Sequence, residues 1–493
     1  MSHNSSSIGF NLIQQLVLGP RQRLILRLGF LKCSKCKSRP IDILFDEYLG
    51  KQHKECIKCK SVVSILRFFI DFSLKVMHIP SESLHRALDI PYWRKGIVAT
   101  IKGLAYFGAN KPITTGAPLF VVWNFTNKCN LRCKHCYQNA GHSLSNELNT
   151  NEALGVVKDL SNSDVSSIAF SGGEPLLRLD FFKVANYAKD CGMYVAVATN
   201  GTLITSDIAK KLSKTVHYVE ISLDGATPRV HDDFRGVSGS WERAITGIKY
   251  LINEGVTVGI ATTATKNNVD EMHRIIDLAE QLDADYFICF NFIPTGRGQK
   301  IIHSDLSPLE REELLRSLYR RLILNMINKK KTQIYSTAPQ FARVGLEMQR
   351  QIINELCLGL SGFQPIIPAS HYANLPGLTP ALAEFIGGCG AGRVYAAISP
   401  EGDVYPCVFM PIKLGSLRKH RFEHIWLYSP VLNELRDRNN LKGGCSICPY
   451  KYVCGGCRAR AYGYFGDYLM HDPGCIRRII ADKFQQLQMI NHE

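Results

Sequence analysis

Short apolar runs alternate with amphipathic segments through the middle of the chain. Runs rich in β-branched and aromatic residues begin at Leu119, Ile168, Tyr194, Tyr218, Val256 and Tyr286. Helical spacing of apolar residues marks 151–160, 177–191, 241–254 and 268–282. This order predicts an α/β fold of parallel βα units, with about six strands between positions 120 and 297 and functional residues at the carboxyl ends of the strands.

The regions outside this core have different patterns. Positions 61–77 are apolar at helical spacing, but Arg67, Asp71 and Lys75 recur on one face. We expect an amphipathic helix that packs on the core or lies on a membrane surface, and no transmembrane span. After residue 304, helical periodicity at 309–328 precedes a Pro-rich passage at 365–380, which fits a lid or a linker.

These patterns divide the chain of 493 residues into four predicted regions. Residues 1–117 form a basic N-terminal extension and residues 118–303 the core barrel. Residues 304–382 form a helical linker or lid, and residues 383–493 form a cysteine-rich C-terminal domain.

Positive charge is concentrated at the N-terminus. Residues 1–118 hold 18 Lys and Arg against 7 Asp and Glu, a difference of +11 out of the formal net charge of +16. A solvated basic face explains such a bias, and so does binding to nucleic acid, to an acidic protein or to an anionic membrane surface.

Three cysteines follow the first predicted strand within eight residues: Cys129, Cys133 and Cys136. Three thiolates can hold three irons of a four-iron cluster and leave the fourth iron open for chemistry. A zinc knuckle would need a fourth ligand, and only His135 lies nearby. The spacing therefore favours a catalytic cluster.

The C-x3-C-x2-C spacing, followed by Tyr137, resembles the signature of radical S-adenosylmethionine (SAM) enzymes. The resemblance implies a partial (β/α)6 barrel and a [4Fe–4S] cluster that cleaves SAM reductively to a 5′-deoxyadenosyl radical. It also implies a set of SAM-binding residues at the strand ends: Gly172, Gly173, Glu174 and Pro175 at the amino group, Thr199 and Asn200, Ser222 and Asp224 at the ribose, Gly296 at the adenosine, and Arg297 near its carboxylate or the substrate.

The C-terminal region holds a second array of seven cysteines: Cys389, Cys407, Cys445, Cys448, Cys454, Cys457 and Cys475. Disulfides are not expected, because we find no secretory signal peptide and the thiols are clustered at metal-ligand spacing.

This array resembles the SPASM extension of radical SAM enzymes, most closely the branch that modifies tetrapyrroles in heme and heme d1 biosynthesis. The resemblance assigns Cys389, Cys407 and Cys457 to one auxiliary cluster, in which three thiols leave one iron open, and Cys445, Cys448, Cys454 and Cys475 to another. A zinc ion with one cluster, or a single auxiliary cluster, are the alternatives. Arg458 and Arg460 either neutralise thiolate charge or bind substrate carboxylates.

Four N-terminal cysteines, Cys33, Cys36, Cys56 and Cys59, have the spacing of a zinc ribbon. Several lysines surround them, and positive charge favours thiolates. A rubredoxin-like iron site is the alternative.

The sequence thus predicts a radical SAM enzyme that modifies a tetrapyrrole or similar cofactor precursor by decarboxylation, oxidation or cross-linking. A maturase of a peptide or protein side chain is the alternative, and an iron–sulfur electron carrier without radical chemistry is a third. The cofactors are SAM, one catalytic and one or two auxiliary [4Fe–4S] clusters, and one zinc. We expect a ferredoxin- or flavodoxin-type donor and a cytoplasmic location, with peripheral membrane attachment as the alternative.

Overall fold

The structure is a computed structural model and describes residues 19–53, 55–76, 79–355, 366–370, 373–376 and 380–478. In the Pro-rich passage at 365–380, residues 365, 371–372 and 377–379 lie outside the described residues.

One large sheet organises the chain. Its strands are β1 (Phe120–Thr126), β2 (Ser167–Gly172), β3 (Tyr194–Thr199), β4 (Tyr218–Ser222), β5 (Val258–Ala264), β6 (Tyr286–Asn291), β7 (Gln333–Ser336), β10 (Tyr395–Ile398), β11 (Asp403–Tyr405) and β12 (Gly415–Ser416). They lie in the order β12-β11-β10-β1-β2-β3-β4-β5-β6-β7. Neighbours from β10 through β1 to β7 pair in parallel, whereas β10–β11 and β11–β12 pair antiparallel. A separate hairpin joins β8 (Ile366–Ser370) to β9 (Ala373–Pro376).

Helices connect the parallel strands, as the alternating pattern predicts. Those of the core are Thr150–Asn162, Phe181–Asp190, Ser206–Thr215, Pro228–Arg235, Ser240–Asn253, Met272–Gln281, Pro308–Ile327 and Gln340–Glu355. Two of them begin with complete capping boxes, Asn149 with Glu152 and Ser307 with Glu310, which satisfy the first free amides of the helix. The C-terminal domain adds Pro380–Ile386, Phe422–Tyr428, Pro430–Arg436 and Arg458–Phe465.

The sheet is wider than the six predicted strands. β7 comes from the region that the pattern assigned to a linker or lid, and β10 comes from the cysteine-rich domain. Each of these strands has four residues, which is too short for the pattern of apolar residues to predict a strand. The predicted boundaries near residues 303 and 382 therefore separate elements that share one sheet.

The two faces of the parallel sheet have different surroundings. Alternate residues such as Val219 and Ile221 are fully buried in the main core. Residues of the opposite parity form a second cluster of Ala169, Ala196, Tyr218, Ile288 and Tyr335, joined by partly buried aromatic residues. This second cluster fills the inner face of the sheet.

The N-terminal region is a helical module with its own core. Its helices are Pro20–Leu28, Pro40–Tyr48, Ile57–Val76, Ser81–Asp89 and Pro91–Phe107. The predicted amphipathic helix is present as Ile57–Val76, and it buries Cys59, Val62, Val63 and Leu66 inside the module. In the part of the chain that the structure describes, no helix combines the length and the apolar character that a membrane span requires.

Charged side chains attach this module to the core at the edge where the strands begin. The Arg39 guanidinium donates to both carboxylate oxygens of Asp164, at 2.7 and 2.8 Å. Asp164 is buried in the turn that leads into β2, and the Lys102 ammonium lies 3.5 Å from it. The described residues of the module are therefore attached at the edge opposite the carboxyl ends of the strands.

Candidate active site and metal centres

The loop that carries Cys129, Cys133 and Cys136 leaves the carboxyl end of β1. Amide groups of Leu131 and Ala140 donate toward the sulfurs of Cys129 and Cys136, at 3.5 and 3.4 Å. Burial raises the pKa of Cys129 to about 11. The Cys129 thiol therefore ionises readily only when a cation binds it, as iron does.

Backbone hydrogen bonds attach the Gly-Gly-Glu-Pro segment at the end of β2 to this loop. The Gly173 amide donates to the Thr126 carbonyl and the Glu174 amide to the Lys128 carbonyl, both at 2.8 Å. A Cβ atom at Gly173 would lie 2.1 Å from the Lys128 oxygen, so only glycine allows this approach. Gly172 has φ +117°, a conformation that side-chain-bearing residues rarely adopt.

Glu174 connects two other predicted SAM-binding residues, Thr199 and Asn200. Its carboxylate is fully buried and accepts from the Thr199 hydroxyl at 2.7 Å, the Asn200 amide at 2.9 Å and the Leu176 amide at 3.2 Å. The side chain thus binds the ends of β2 and β3 together, and its contact with the ammonium group of SAM stays a prediction. Pro175 follows as the first residue of a short 3-10 turn.

Asp224 lies beyond β4 and is also fully buried. One carboxylate oxygen lies 2.6 Å from the Arg235 guanidinium, and the other accepts from the Thr263 amide at 2.7 Å. Burial alone would raise the pKa of Asp224, but the charge of Arg235 holds it below its usual value. Asp224 therefore binds protein groups, whereas Ser222, the last residue of β4, has a partly exposed side chain.

Arg235 connects Asp224 to the cysteine loop, and the sequence pattern did not single it out. Its Nη1 atom lies 3.6 Å from the Cys133 sulfur. Its neighbour Phe234 stacks on His135 with ring centroids 4.2 Å apart. Burial lowers the pKa of His135 to about 3, so this imidazole is neutral.

Gly296 and Arg297 contact the same loop from beyond β6. Gly296 has φ +58°, and a Cβ atom there would lie 2.3 Å from the Tyr137 carbonyl oxygen. The Arg297 side chain donates to the carbonyls of Cys133, at 2.9 Å, and Ala140, at 2.7 Å. Arg297 therefore holds the loop in place, and its position near a carboxylate of SAM or near the substrate stays a prediction.

Polar groups on the inner face of the sheet adjoin this loop. The Tyr137 hydroxyl donates to the Asn124 side chain at 2.8 Å, and its ring meets Phe409 of the C-terminal domain edge to face. Glu220 of β4 faces the same interior, because Val219 and Ile221 face the other side of the sheet. Burial raises the pKa of Glu220 to about 7. The sequence could have indicated Glu220, because it is an acidic residue between two apolar residues of a predicted strand.

The C-terminal cysteines fall into two groups in space. Cys445, Cys448, Cys454 and Cys475 line one cavity of about 160 Å³. Burial, and then the neighbouring charges of Cys389, Asp472 and Cys407, raise the pKa of Cys457. Thiolates of this kind are the ligands that iron–sulfur clusters require, and the ligand sets implied by the SPASM resemblance stay predictions.

Arg458 lies inside the C-terminal domain and Arg460 lies between that domain and the core, each 1% exposed. Arg458 donates to the carbonyls of Tyr468 and Met470 at 2.9 and 2.7 Å, and it lies 4.0 Å from the Cys445 sulfur. Arg460 is bound by Asn291, Phe292 and Asp305 of the core. Both guanidinium groups therefore act as internal braces, which favours the structural alternative over binding of substrate carboxylates.

The four N-terminal thiols converge on one point. The sulfurs of Cys33, Cys36, Cys56 and Cys59 lie within 4.8 Å of one another, and those of Cys33 and Cys56 are 3.8 Å apart. Tetrahedral zinc with Zn–S bonds of about 2.3 Å sets its sulfurs about 3.8 Å apart, so the site fits a single ion. The amides of Cys36 and Lys35 lower the pKa of Cys33 to about 6, which favours thiolate. Helix Pro40–Tyr48 follows the first cysteine pair of this site, and helix Ile57–Val76 begins within the second pair.

Comparison with known proteins gives the same assignment. A model of the radical SAM superfamily matches residues 123–279, and a model of the SPASM iron–sulfur cluster-binding domain matches residues 389–449. An AdoMet-dependent heme synthase of Methanosarcina barkeri is 35% identical over 367 residues, which cover 74% of this chain and 98% of the relative. The chain belongs to the radical SAM enzymes with a SPASM domain. Its cofactors therefore include SAM and [4Fe–4S] clusters.

Other relatives of this radical SAM enzyme are named for different reactions. The pre-heme d1 synthase of Dinoroseobacter shibae is 30% identical and matches over 75% of this chain and 87% of its own. The mycofactocin maturase of Mycolicibacterium smegmatis is 31% identical over 73% and 83%. The crystal structure of Streptococcus suis SuiB bound to S-adenosylmethionine has a TM-score of 0.60, with 17% identity over 89% of this chain and 93% of that one, and shows the shared fold.

We predict that Gly173→Ala lowers 5′-deoxyadenosine formation about tenfold to a hundredfold, because the added methyl group pushes the β2 end away from the cysteine loop. The measurement is product formation by the anaerobically reconstituted enzyme with SAM and dithionite. Gly155→Ala is the control, since no atom lies within 4 Å of its Cβ position. Equal activity in the two variants would contradict the importance of this contact.

We predict that Glu220→Gln stabilises the protein more at pH 8 than at pH 5. The pKa of Glu220 is raised from 4.5 to about 7 in the folded state. Its contribution to stability is therefore complete below pH 4.5 and is lost as the pH rises through 7. Thermal unfolding at both pH values measures the difference, and a melting-temperature gain that does not depend on pH would refute the assignment.

We predict one zinc per chain at the N-terminal site and its loss in Cys36→Ser, because three thiolates hold the ion less tightly than four. Elemental analysis of the purified protein measures zinc and iron separately. Cys191→Ser, which changes a partly buried thiol outside the group, should retain the zinc. Iron at this site in place of zinc would show that the rubredoxin-like alternative is correct.

Proposed function

We propose that this radical SAM enzyme modifies an iron-containing tetrapyrrole by oxidative decarboxylation of its propionate side chains. The observation that carries the proposal is the match to the heme synthase of Methanosarcina barkeri, which extends over 98% of that relative. The match to the pre-heme d1 synthase supports it from a second relative. We expect a one-electron donor of ferredoxin or flavodoxin type and a reducing, cytoplasmic location.

We also propose the ligand sets given by the cysteine groups. Cys129, Cys133 and Cys136 hold the catalytic cluster, which supplies the radical chemistry when SAM is bound. Cys445, Cys448, Cys454 and Cys475 hold one auxiliary cluster, and Cys389, Cys407 and Cys457 hold the other.

The residues at the strand ends position the reaction. Gly172, Gly173 and Gly296 allow backbone to approach the cysteine loop closely, and Glu174, Asp224 and Arg297 fix that backbone. Pro175, Thr199 and Asn200 shape the wall of the same site, and Ser222 has a partly exposed side chain for the ribose. Lys128 and Arg132 are exposed on the loop and can meet substrate carboxylates.

The reaction balances for each propionate that becomes a vinyl group. One hydrogen atom passes to the 5′-deoxyadenosyl radical, one carbon dioxide leaves and one electron is released to an acceptor. An auxiliary cluster is a suitable acceptor, because its thiolates lie in the domain that packs against the site through Phe409.

The test incubates the anaerobically reconstituted enzyme with SAM, dithionite and iron coproporphyrin III, and follows the products by mass spectrometry. We expect 5′-deoxyadenosine and a porphyrin that has lost propionate carboxyl groups, with one 5′-deoxyadenosine formed for each carboxyl group lost. Cys133→Ala should abolish both products, whereas Cys445→Ala should retain some uncoupled SAM cleavage. SAM cleavage that no porphyrin accelerates would refute the proposed substrate.

Peptide modification is the second candidate, because the mycofactocin maturase is 31% identical over 83% of its length. A peptide substrate would stimulate SAM cleavage and gain or lose mass itself, while iron coproporphyrin III would remain unchanged. The two outcomes separate the candidates in one assay.

A further inference from the structure

Arg438 is a buried cation whose guanidinium is only partly bonded. The side chain is 1% exposed, and its Nη2 atom donates to the Cys389 carbonyl at 2.9 Å. Within the described residues, the Nε and Nη1 atoms have no hydrogen-bond partner, and no carboxylate forms an ion pair with this arginine. Leaving charged donors unpaired in a protein interior is costly, so an acceptor is expected there.

The position of Arg438 is fixed by the backbone between the two auxiliary cysteine groups. A Cβ atom at Gly455 would lie 2.5 Å from both Cζ and Nη1 of Arg438, so the guanidinium lies directly against this glycine. Gly455 has Cys454 of one group on one side and, two residues on, Cys457 of the other group. Its φ of +65° further favours glycine at this place.

Arg438 contacts the backbone of both auxiliary groups. Its Nη2 atom donates to the carbonyl of Cys389, which belongs to one group, and its guanidinium lies against Gly455, which follows Cys454 of the other group. Burial lowers the pKa of Arg438, the thiolate of Cys389 acts in the opposite direction, the Arg458 cation lowers this pKa further, and Cys454 and Cys445 raise it. A single guanidinium is therefore close to both groups.

We propose that Arg438 is a shared cation of the two auxiliary cluster sites and that its Nε and Nη1 atoms donate to the sulfur held there. Arg438 is a positioning residue, and its role rests on the ligand sets proposed above. A fixed positive charge stabilises the more negative, reduced state of a cluster, so the residue raises the reduction potential of both sites.

The test compares Arg438→Met with Arg436→Met in the full-length, anaerobically reconstituted enzyme. Arg436 is a matched control, because it is also buried but donates to the carbonyls of Gly392 and Trp426, at 2.9 and 2.7 Å. Redox titration followed by electron paramagnetic resonance gives the midpoint potential of each cluster. We expect both auxiliary potentials to become more negative in Arg438→Met, with the catalytic cluster unchanged, and no shift in Arg436→Met.

Iron content completes the test. If Arg438→Met loses auxiliary iron, Arg438→Lys should restore it, because lysine keeps the charge. Unchanged potentials with full iron, a shift of only one cluster, an equal shift in Arg436→Met, or iron loss that lysine does not restore would each overturn the proposal. A wrong assignment of the cluster ligands would be recognised separately, because Cys457→Ala would then keep its full iron content. The redox titration contains no substrate, so its result does not depend on whether the proposed tetrapyrrole substrate is correct.

Discussion

Hydrogen bonds between the three-cysteine loop and the neighbouring strand ends hold the whole site together. The loop has no regular secondary structure of its own, so its backbone groups need partners elsewhere. Gly173 and Glu174 provide amides from β2, and Arg297 provides a guanidinium from beyond β6. The spacing of the three thiols thus depends on strands that are distant from them in sequence.

Buried and half-buried arginines have a common role in this protein. Arg235, Arg297, Arg458 and Arg460 all bind oxygen or sulfur atoms of the chain itself. Arg235 and Arg458 lie 3.6 and 4.0 Å from the sulfurs of Cys133 and Cys445, so their charges favour thiolates at those positions. Because these guanidinium groups are already engaged, we propose the exposed cations of the cysteine loop as the contacts for substrate carboxylates.

The sequence predicted the elements and the cysteine groups better than the directions of individual side chains. Strand positions and metal-ligand spacing are local properties, so the β1 cysteines and the four N-terminal thiols could be recognised directly. Glu174 and Asp224 were placed correctly at strand ends, but their partners lie on β3, β5 and a helix beyond β4. Strands β7 and β10 were missed because four residues carry too little pattern, and Arg235 because its contact with Cys133 joins residues about a hundred positions apart.

The ion pair of Arg39 with Asp164 attaches the metal-binding module at the edge where the strands begin, and the chemistry takes place at the edge where they end. The four-thiol module and the three-cysteine loop therefore lie at opposite edges of one sheet. A ligand that bound the described part of the module would leave the edge that carries the cysteine loop uncovered.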